Sequence, residues 1–379
     1  MGQNAVIAGY VRTPFHFAGK GDLAGMRPDD MAAAAVRELV KRTGVDVNEI
    51  EDLILGCAFP EGEQGFNVAR LVVNIAGLPV TVAGTTVNRF CGSSMQAIHQ
   101  AAGAIASGAG RVFLCGGVES MSRIPMGGFN PLPNPELYKV YPQAYISMGE
   151  TAENLAKKYS IPRAEHEKFA AASQQKAASA RAAGKFKDEI IPVTVGGKTV
   201  SEDGCIRPET TPESLAALKP AFDANGTVTA GTSSPLTDGA SMTLITTEDY
   251  AKANGLKIMA RIRSTAVSGC LPEIMGIGPV DATRKALKRA GLEIKDIDIF
   301  ELNEAFAVQS LSVIRELGID QSKVNLDGGA IALGHPLGAS GARITGVAAK
   351  ILQREGKKLA LATMCIGGGQ GIATVLEAV

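Results

Sequence analysis

At 379 residues the chain exceeds one ordinary core and calls for two domains or two similar halves. Lysine plus arginine and aspartate plus glutamate stand at 38 each, which leaves no electrostatic footprint for nucleic acid or an anionic membrane surface. Six cysteines without paired spacing read as free thiols, and with no signal-like start or long apolar run the expected location is cytoplasmic.

The first predicted elements are a short apolar run from Ala5 to Val11 and an alanine-rich helix from Pro28 to Arg42 that stops at Gly44. Ile50, Leu53, Ile54 and Leu55 then show the pattern of a buried strand. Cys91, Gly92, Ser93 and Ser94 lead into a helix reaching about Ala106, whose small residues all round predict burial. Val112 to Cys115 and Met242 to Thr246 read as the last two strands of the first half. Between them lies an insertion, 119–239. It opens irregularly, with Pro125, Pro131, Pro133, Pro135 and Pro142, and continues as a helix pair interrupted at Pro162 and closed at Gly184. Insertions of this size usually carry function, and this one reads as a substrate-covering part.

The second half repeats the scheme, with a strand from Ile297 to Leu302, a helix from near Ser340, and strands at Leu359 to Thr363 and Ile372 to Leu376. A constant offset links the halves: adding 247 to Gly44 gives Gly291, to Ile50 gives Ile297, and to Ser93 gives Ser340. That register suggests an internal duplication. The expected fold is α/β and layered, with halves at 1–118 plus 240–250 and at 251–379, and 119–239 inserted.

A cysteine at a helix N-terminus gains thiolate character from the exposed amides and helix dipole, so Cys91 is a candidate nucleophile; the alternative is a core thiol. His335, in the glycine-flanked turn Gly334 to Gly338, is the candidate base. Under the offset it is the counterpart of Asn88, three residues before Cys91, so a pseudo-twofold packing would bring the two turns together. His16, His99 and His166 fall in a flexible start, on a helix and on a charged helix face, and read as structural or solvated. Cys365 opens the run Cys365 to Gly371, whose glycines let backbone approach a ligand and offer N–H groups to an oxyanion; no lysine follows as a phosphate loop requires. Asn303 and Glu304 end a strand, where α/β sheets place their sites, although a helix cap is the other reading of Asn303. Cys57, Cys115, Cys205 and Cys270 read as packing residues, and no spacing suits a metal site.

Taken together, Asn88 to Ser94 (NRFCGSS), Gly116 to Ser122 (GGVESMS), Asn303 to Phe306 (NEAF), Gly334 to Gly338 (GHPLG) and Cys365 to Gly369 (CIGGG) give a chain that resembles the thiolase family along essentially its whole length. The resemblance implies duplicated βαβ halves in an αβαβα core with an inserted loop domain. It implies acylation of Cys91, activation by His335, and a second thiol, Cys365, serving the carbon next to the thioester. His335 with a water held by Asn303 would form one oxyanion hole, and the amides of Cys91 and Gly367 a second. Met148, Arg207, Ser214 and Ser234 match positions that contact coenzyme A, which is a substrate rather than a resident cofactor. A homo-dimer or homo-tetramer is implied.

Acetoacetyl-specific relatives commonly carry histidine where this chain has Ser147, so degradative 3-ketoacyl-CoA thiolysis is favoured over acetoacetyl-CoA synthesis. Two readings from other classes remain: a cysteine hydrolase using Cys91, His335 and Asn303, which leaves Cys365 without a role, and a non-enzymatic coenzyme A binding protein.

Overall fold

The structure is a computed structural model that describes residues 3–379. Strands β1 (Ala5–Arg12), β2 (His16–Phe17), β3 (Asp52–Gly56) and β4 (Ala83–Val87) come first, and β5 (Val112–Ser120) runs two residues into the expected insertion. The ribbon β6 (Val193–Val195) and β7 (Lys198–Val200) lies within it, and β8 (Thr237–Thr247) begins in its last three residues. The second half supplies β9 (Ala260–Gly269), β10 (Ile299–Leu302), β11 (Leu359–Ile366) and β12 (Gln370–Glu377). Helices α1 (Pro28–Thr43), α2 (Val68–Ala76) and α3 (Ser93–Ser107) belong to the first half. The insertion holds α4 (Pro135–Val140), α5 (Met148–Tyr159), α6 (Arg163–Ala182) and α7 (Pro212–Ala216). Then come α8 (Glu248–Ala253), α9 (Gly278–Ala290), α10 (Ala307–Leu317), α11 (Ala330–Leu333) and α12 (Leu337–Glu355).

One mixed sheet runs in the order β10, β11, β12, β9, β1, β8, β5, β3, β4, with β2 on β8. Among the described residues its two halves join where Val6 and Ile7 pair with Arg261 and Ala260. Between the half-sheets lie α3 and α12, which pack on each other and on strands of both halves. Helices α1 and α2 cover the outer face of the first half, and α9 covers that of the second. Three hydrophobic cores fill the spaces between these five layers. The layered αβαβα expectation holds.

The duplication is visible in backbone detail. Gly44 and Gly291 both cap their helices in the left-handed conformation, at φ 68° and 69°, a geometry glycine adopts without a Cβ penalty. The central helices cross at equivalent residues: Gly341, the counterpart of Ser94, approaches so closely that a Cβ on it would meet the Met95 amide at 2.4 Å. Alongside, Ala342 N–H donates to Ser94 Oγ at 2.9 Å. Symmetry fails where 83–87 form β4 whereas 330–334, their counterparts, hold the helical turn α11, and again where α2 at 68–76 would map onto 315–323 while α10 spans 307–317.

Several expectations change. Helix α12 starts at Leu337, three residues before Ser340. His16 lies not in a flexible start but in β2, buried, with Nε2 bonded to Glu202 O at 2.9 Å. His166 is buried rather than on a solvated face. Strand β9 escapes sequence reading because Arg261, Arg263, Ser264 and Thr265 dilute its apolar pattern, while pairing with β12 makes it a strand nonetheless.

The insertion is fastened to the core by a buried charge cluster. Arg12, at the end of β1, pairs with Glu189 at 2.8 Å and bidentately with Asp203 at 2.6 and 2.7 Å. Lys350 of α12 reaches Glu189 at 3.0 Å. Arg12, Glu189 and Asp203 are all buried, so removing the cation leaves Asp203 without a charge partner among the described residues and Glu189 with Lys350 alone. Arg12→Ala is expected to lower stability by about 3–5 kcal/mol, read as a fall in the urea midpoint; a midpoint unchanged from wild type would show that the cluster does not hold the insertion.

Candidate active site

Cys91 sits in a single turn, Phe90–Gly92, that runs directly into α3. The turn is knitted by side chains: Asn88 Oδ1 accepts from Phe90 N–H at 2.9 Å, and Ser93 Oγ accepts from Arg89 N–H at 2.9 Å. Asn88 Nδ2 donates to Ala58 O at 3.1 Å, tying the turn to the end of β3. The thiol is buried, and burial pushes it up to about 11, although the amides of Gly367 and of Cys91 itself face the sulfur and pull the other way. Burial thus works against the thiolate character expected of a helix N-terminus. Alkylation of Cys91 by iodoacetamide is therefore expected to climb with pH without levelling off below about 10. A plateau between pH 7 and 8 would show a thiolate stabilised in the resting site.

His335 precedes α12, held by its own N–H donating to Thr237 Oγ1 at 3.0 Å. Ser340 Oγ donates to Pro336 O at 3.0 Å and lies 2.5 Å from His335 Nδ1. With its proton committed to the carbonyl, the hydroxyl accepts from Nδ1–H, which leaves Nε2 as the unprotonated ring nitrogen, the acceptor that faces Asn303. Burial, aided by the Arg343 charge, lowers this imidazole to about 3, so it is neutral at physiological pH. Asn303 Nδ2 is 3.3 Å from Nε2, and Asn303 Oδ1 is buried with no partner among the described residues. Asn303 does not cap the following helix; Phe306 occupies that position.

Cys365 lies one residue before the end of β11, buried, and its thiol is raised by burial and then by neighbouring Cys91. The hairpin after it turns through Gly368 and Gly369 at φ 77° and 81°. There a Cβ on Gly369 would meet Cys270 O at 2.4 Å, so glycine is required by both conformation and space. Gly367 has no such constraint; its part is its amide.

Cys91, His335 and Cys365 all open on one cavity of about 560 Å³, together with Met148, Arg207 and Ser234. Its wall is largely apolar, with Met121, Met275, Leu337, Phe222 and Phe306. Arg207 stacks over Phe17, 5.9 Å from the ring centroid, and its Nε has no partner among the described residues. Ser214 is not brought to the cavity: it is exposed on α7, where its hydroxyl donates to Thr211 O at 2.8 Å and closes the first turn. Ser147 lines the cavity and also caps α5 in a reciprocal arrangement with Glu150.

Of the carboxylates that hold this geometry, sequence reasoning passed over Glu119 and named Glu304 only as a polar residue beside Asn303 at a strand end. Glu119, within GGVESMS, accepts from Ala58 N–H, Gly338 N–H and Gln64 Nε2, each at 2.8 Å. It thereby fixes the start of α12 against the loop after β3. Glu304, within NEAF, accepts from Ser173 Oγ at 2.6 Å and Asn325 Nδ2 at 2.8 Å. Both lay inside quoted motifs, so acidic residues in apolar surroundings were the available signal.

Comparison with known proteins places these residues in a family. The thiolase N-terminal domain matches residues 5–249 and the thiolase C-terminal domain residues 256–378. The chain is 49% identical to a 3-ketoacyl-CoA thiolase of Bacillus subtilis, covering 99% of each. It is 52% identical to a 3-ketoacyl-CoA thiolase of Marinobacter nauticus, covering 99% of this chain and 98% of that one. Among solved structures, the Bacillus anthracis acetyl-CoA acetyltransferase superposes with a TM-score of 0.92 at 40% identity, covering 100% of this chain and 99% of that one. Two thiols and a histidine drawn from both halves to one cavity, on a scaffold matched from end to end, make this chain a member of the thiolase family.

Proposed function

We propose that the chain is a 3-ketoacyl-CoA thiolase, an acyl-CoA C-acyltransferase that cleaves its substrate with coenzyme A. The observation that carries the proposal is the opening of Cys91, His335 and Cys365 on a single apolar cavity. In this reading His335 Nε2 takes the Cys91 proton as sulfur attacks the ketone carbon. The bond between C2 and C3 breaks, the acyl group stays on Cys91, and the electron pair leaves as the thioester enolate of acetyl-CoA. Cys365 gives its proton to the enolate carbon. Coenzyme A then loses its thiol proton to the Cys365 thiolate and attacks acyl-Cys91. Sulfur of Cys91 leaves and regains its proton from His335.

Asn303 Oδ1 is the acceptor that would hold the water of the first oxyanion hole, and the Cys91 and Gly367 amides would form the second. Arg207 and Ser234 would meet coenzyme A at the cavity, with Met148 beside them; Ser214 would act only beyond it. In the same reading residues 119–239 form the covering domain between halves at 1–118 plus 240–250 and at 251–379, and the chain assembles as a homo-dimer or homo-tetramer.

Relatives at 49–52% identity bear the 3-ketoacyl-CoA thiolase name, against 40% for the acetyltransferase structure, which favours degradation over acetoacetyl-CoA synthesis. Each buried methylene contributes about 0.8 kcal/mol, a factor of roughly four if kept in the transition state. Accordingly kcat/KM for thiolysis is expected to rise from acetoacetyl-CoA through 3-ketohexanoyl-CoA to 3-ketooctanoyl-CoA. Ser147→His is expected to flatten that rise and, by loss of the cap on α5, to cost about 1 kcal/mol of stability. A wild-type preference for acetoacetyl-CoA would hand the assignment to the biosynthetic reading.

A further inference from the structure

Phe90 is a non-glycine residue held in the left-handed region, at φ 42°, a conformation that costs an L residue of its bulk and persists only where its surroundings impose it. Those surroundings are on both sides of the reaction site. Asn88 Oδ1 fixes its N–H, and its carbonyl accepts from Ser93 Oγ at 2.6 Å. The carbonyl belongs to the peptide whose N–H is the Cys91 amide, so its pinning sets where that amide points. Its ring leans the other way, onto the hairpin after Cys365: ring atoms lie 3.6 and 3.8 Å from where a side chain on Gly367 would begin. Phe59, 6.1 Å away between centroids, backs the ring, and Phe59 N–H is itself bonded to Glu119 at 3.3 Å. Phe90 does not line the cavity, so substrate contact does not explain it.

We infer that Phe90 is a positioning residue for the acyl-transfer step: its strained backbone aims the Cys91 amide and its ring sets the Gly367 amide, so that two donors from opposite halves converge on one oxygen. The inference rests on the reading that those two amides stabilise the oxyanion of the acyl-Cys91 stage. Hydrogen-bond donors must be in place before charge develops, and small misplacements are costly to rate while leaving ground-state binding nearly intact.

The test compares thiolysis kinetics, rates of acyl-adduct formation and melting temperatures of Phe90→Ala and Phe90→Tyr in the full chain. Phe90→Ala removes the ring from Gly367 and is expected to lower kcat and the acylation rate by about tenfold to a hundredfold, with KM for coenzyme A within about twofold, as uniform binding is untouched. Phe90→Tyr keeps the ring and is expected to restore kcat to near wild type. If Phe90→Ala does not fold, Phe90→Leu takes its place with the same expected split. A folded Ala or Leu variant with wild-type kcat would overturn the inference, as would a rate loss that Tyr shares in full. Gly367→Pro separates this from the reading beneath it, because proline deletes the amide itself: a fully active Gly367→Pro enzyme would remove the amide pair, whereas an inactive one beside an unaffected Phe90→Ala would remove only Phe90.

Discussion

Cys91→Ala is expected to abolish the covalent acyl adduct seen by mass after incubation with acyl-CoA, and to lower kcat by at least about 10⁴-fold, as loss of a nucleophile does. No other thiol is placed to substitute. Cys365 shares the cavity, but its thiol is raised well above the ordinary range by burial and by Cys91 itself, and the paired amides face the Cys91 sulfur. The stability of the variant should change little, since one sulfur atom is removed at a turn held by Asn88 and Ser93. His335→Ala should slow acylation by about 10²- to 10⁴-fold without preventing it. That intermediate result follows from the structure: a thiol raised to about 11 still ionises to a small extent without its base. Continued full acylation of Cys91→Ala would remove the nucleophile assignment.

Cys365→Ala is expected to divide the reaction into its two parts. Transfer of the acetyl group from acetyl-CoA to Cys91 needs no carbon acid and should survive. Cleavage between C2 and C3, and exchange of the acetyl hydrogens with solvent, both need a proton at carbon and should fall by about 10²- to 10⁴-fold. Solvent-deuterium incorporation read alongside the acyl adduct distinguishes the roles. Equal loss of acylation and exchange would show that Cys365 does not act separately on carbon. A cysteine hydrolase has no need of this division, so the same pair of measurements tells the two classes apart.

Much of this was legible in the sequence because the duplication repeats at a constant spacing and because chemistry-bearing residues stand next to glycines. Gly44 and Gly291 mark equivalent helix ends, and the strand ends carrying Asn303 and Cys365 follow apolar runs that burial alone would produce. For the ionisation of Cys91, sequence places a thiol at a helix start, but only the packed structure shows how completely it is desolvated. Likewise, Ser214 was matched by motif position, while α7 turns its hydroxyl back on Thr211. Strand β9 and the buried placement of His16 depend on pairing partners more than a hundred residues away, which no local pattern reports.

The helix crossing at Ser94 and Gly341 means that every position of the active centre has a twin related by the same pseudo-axis. Adding or subtracting 247, the twins of Cys91, His335, Cys365 and Asn303 are Gly338, Asn88, Val118 and Gly56. None can do acyl-transfer chemistry except as packing or turn residues. The geometry also bars a return: a Cβ on Gly338 would sit 2.8 Å from Val118 O and 2.8 Å from the Cys57 backbone, so the twin of one thiol is crushed against the twin of the other. In the proposed reading one half of the duplicated space holds the reaction chamber and the other packs around it, which would limit each chain to a single centre and make every turnover depend on residues from both repeats.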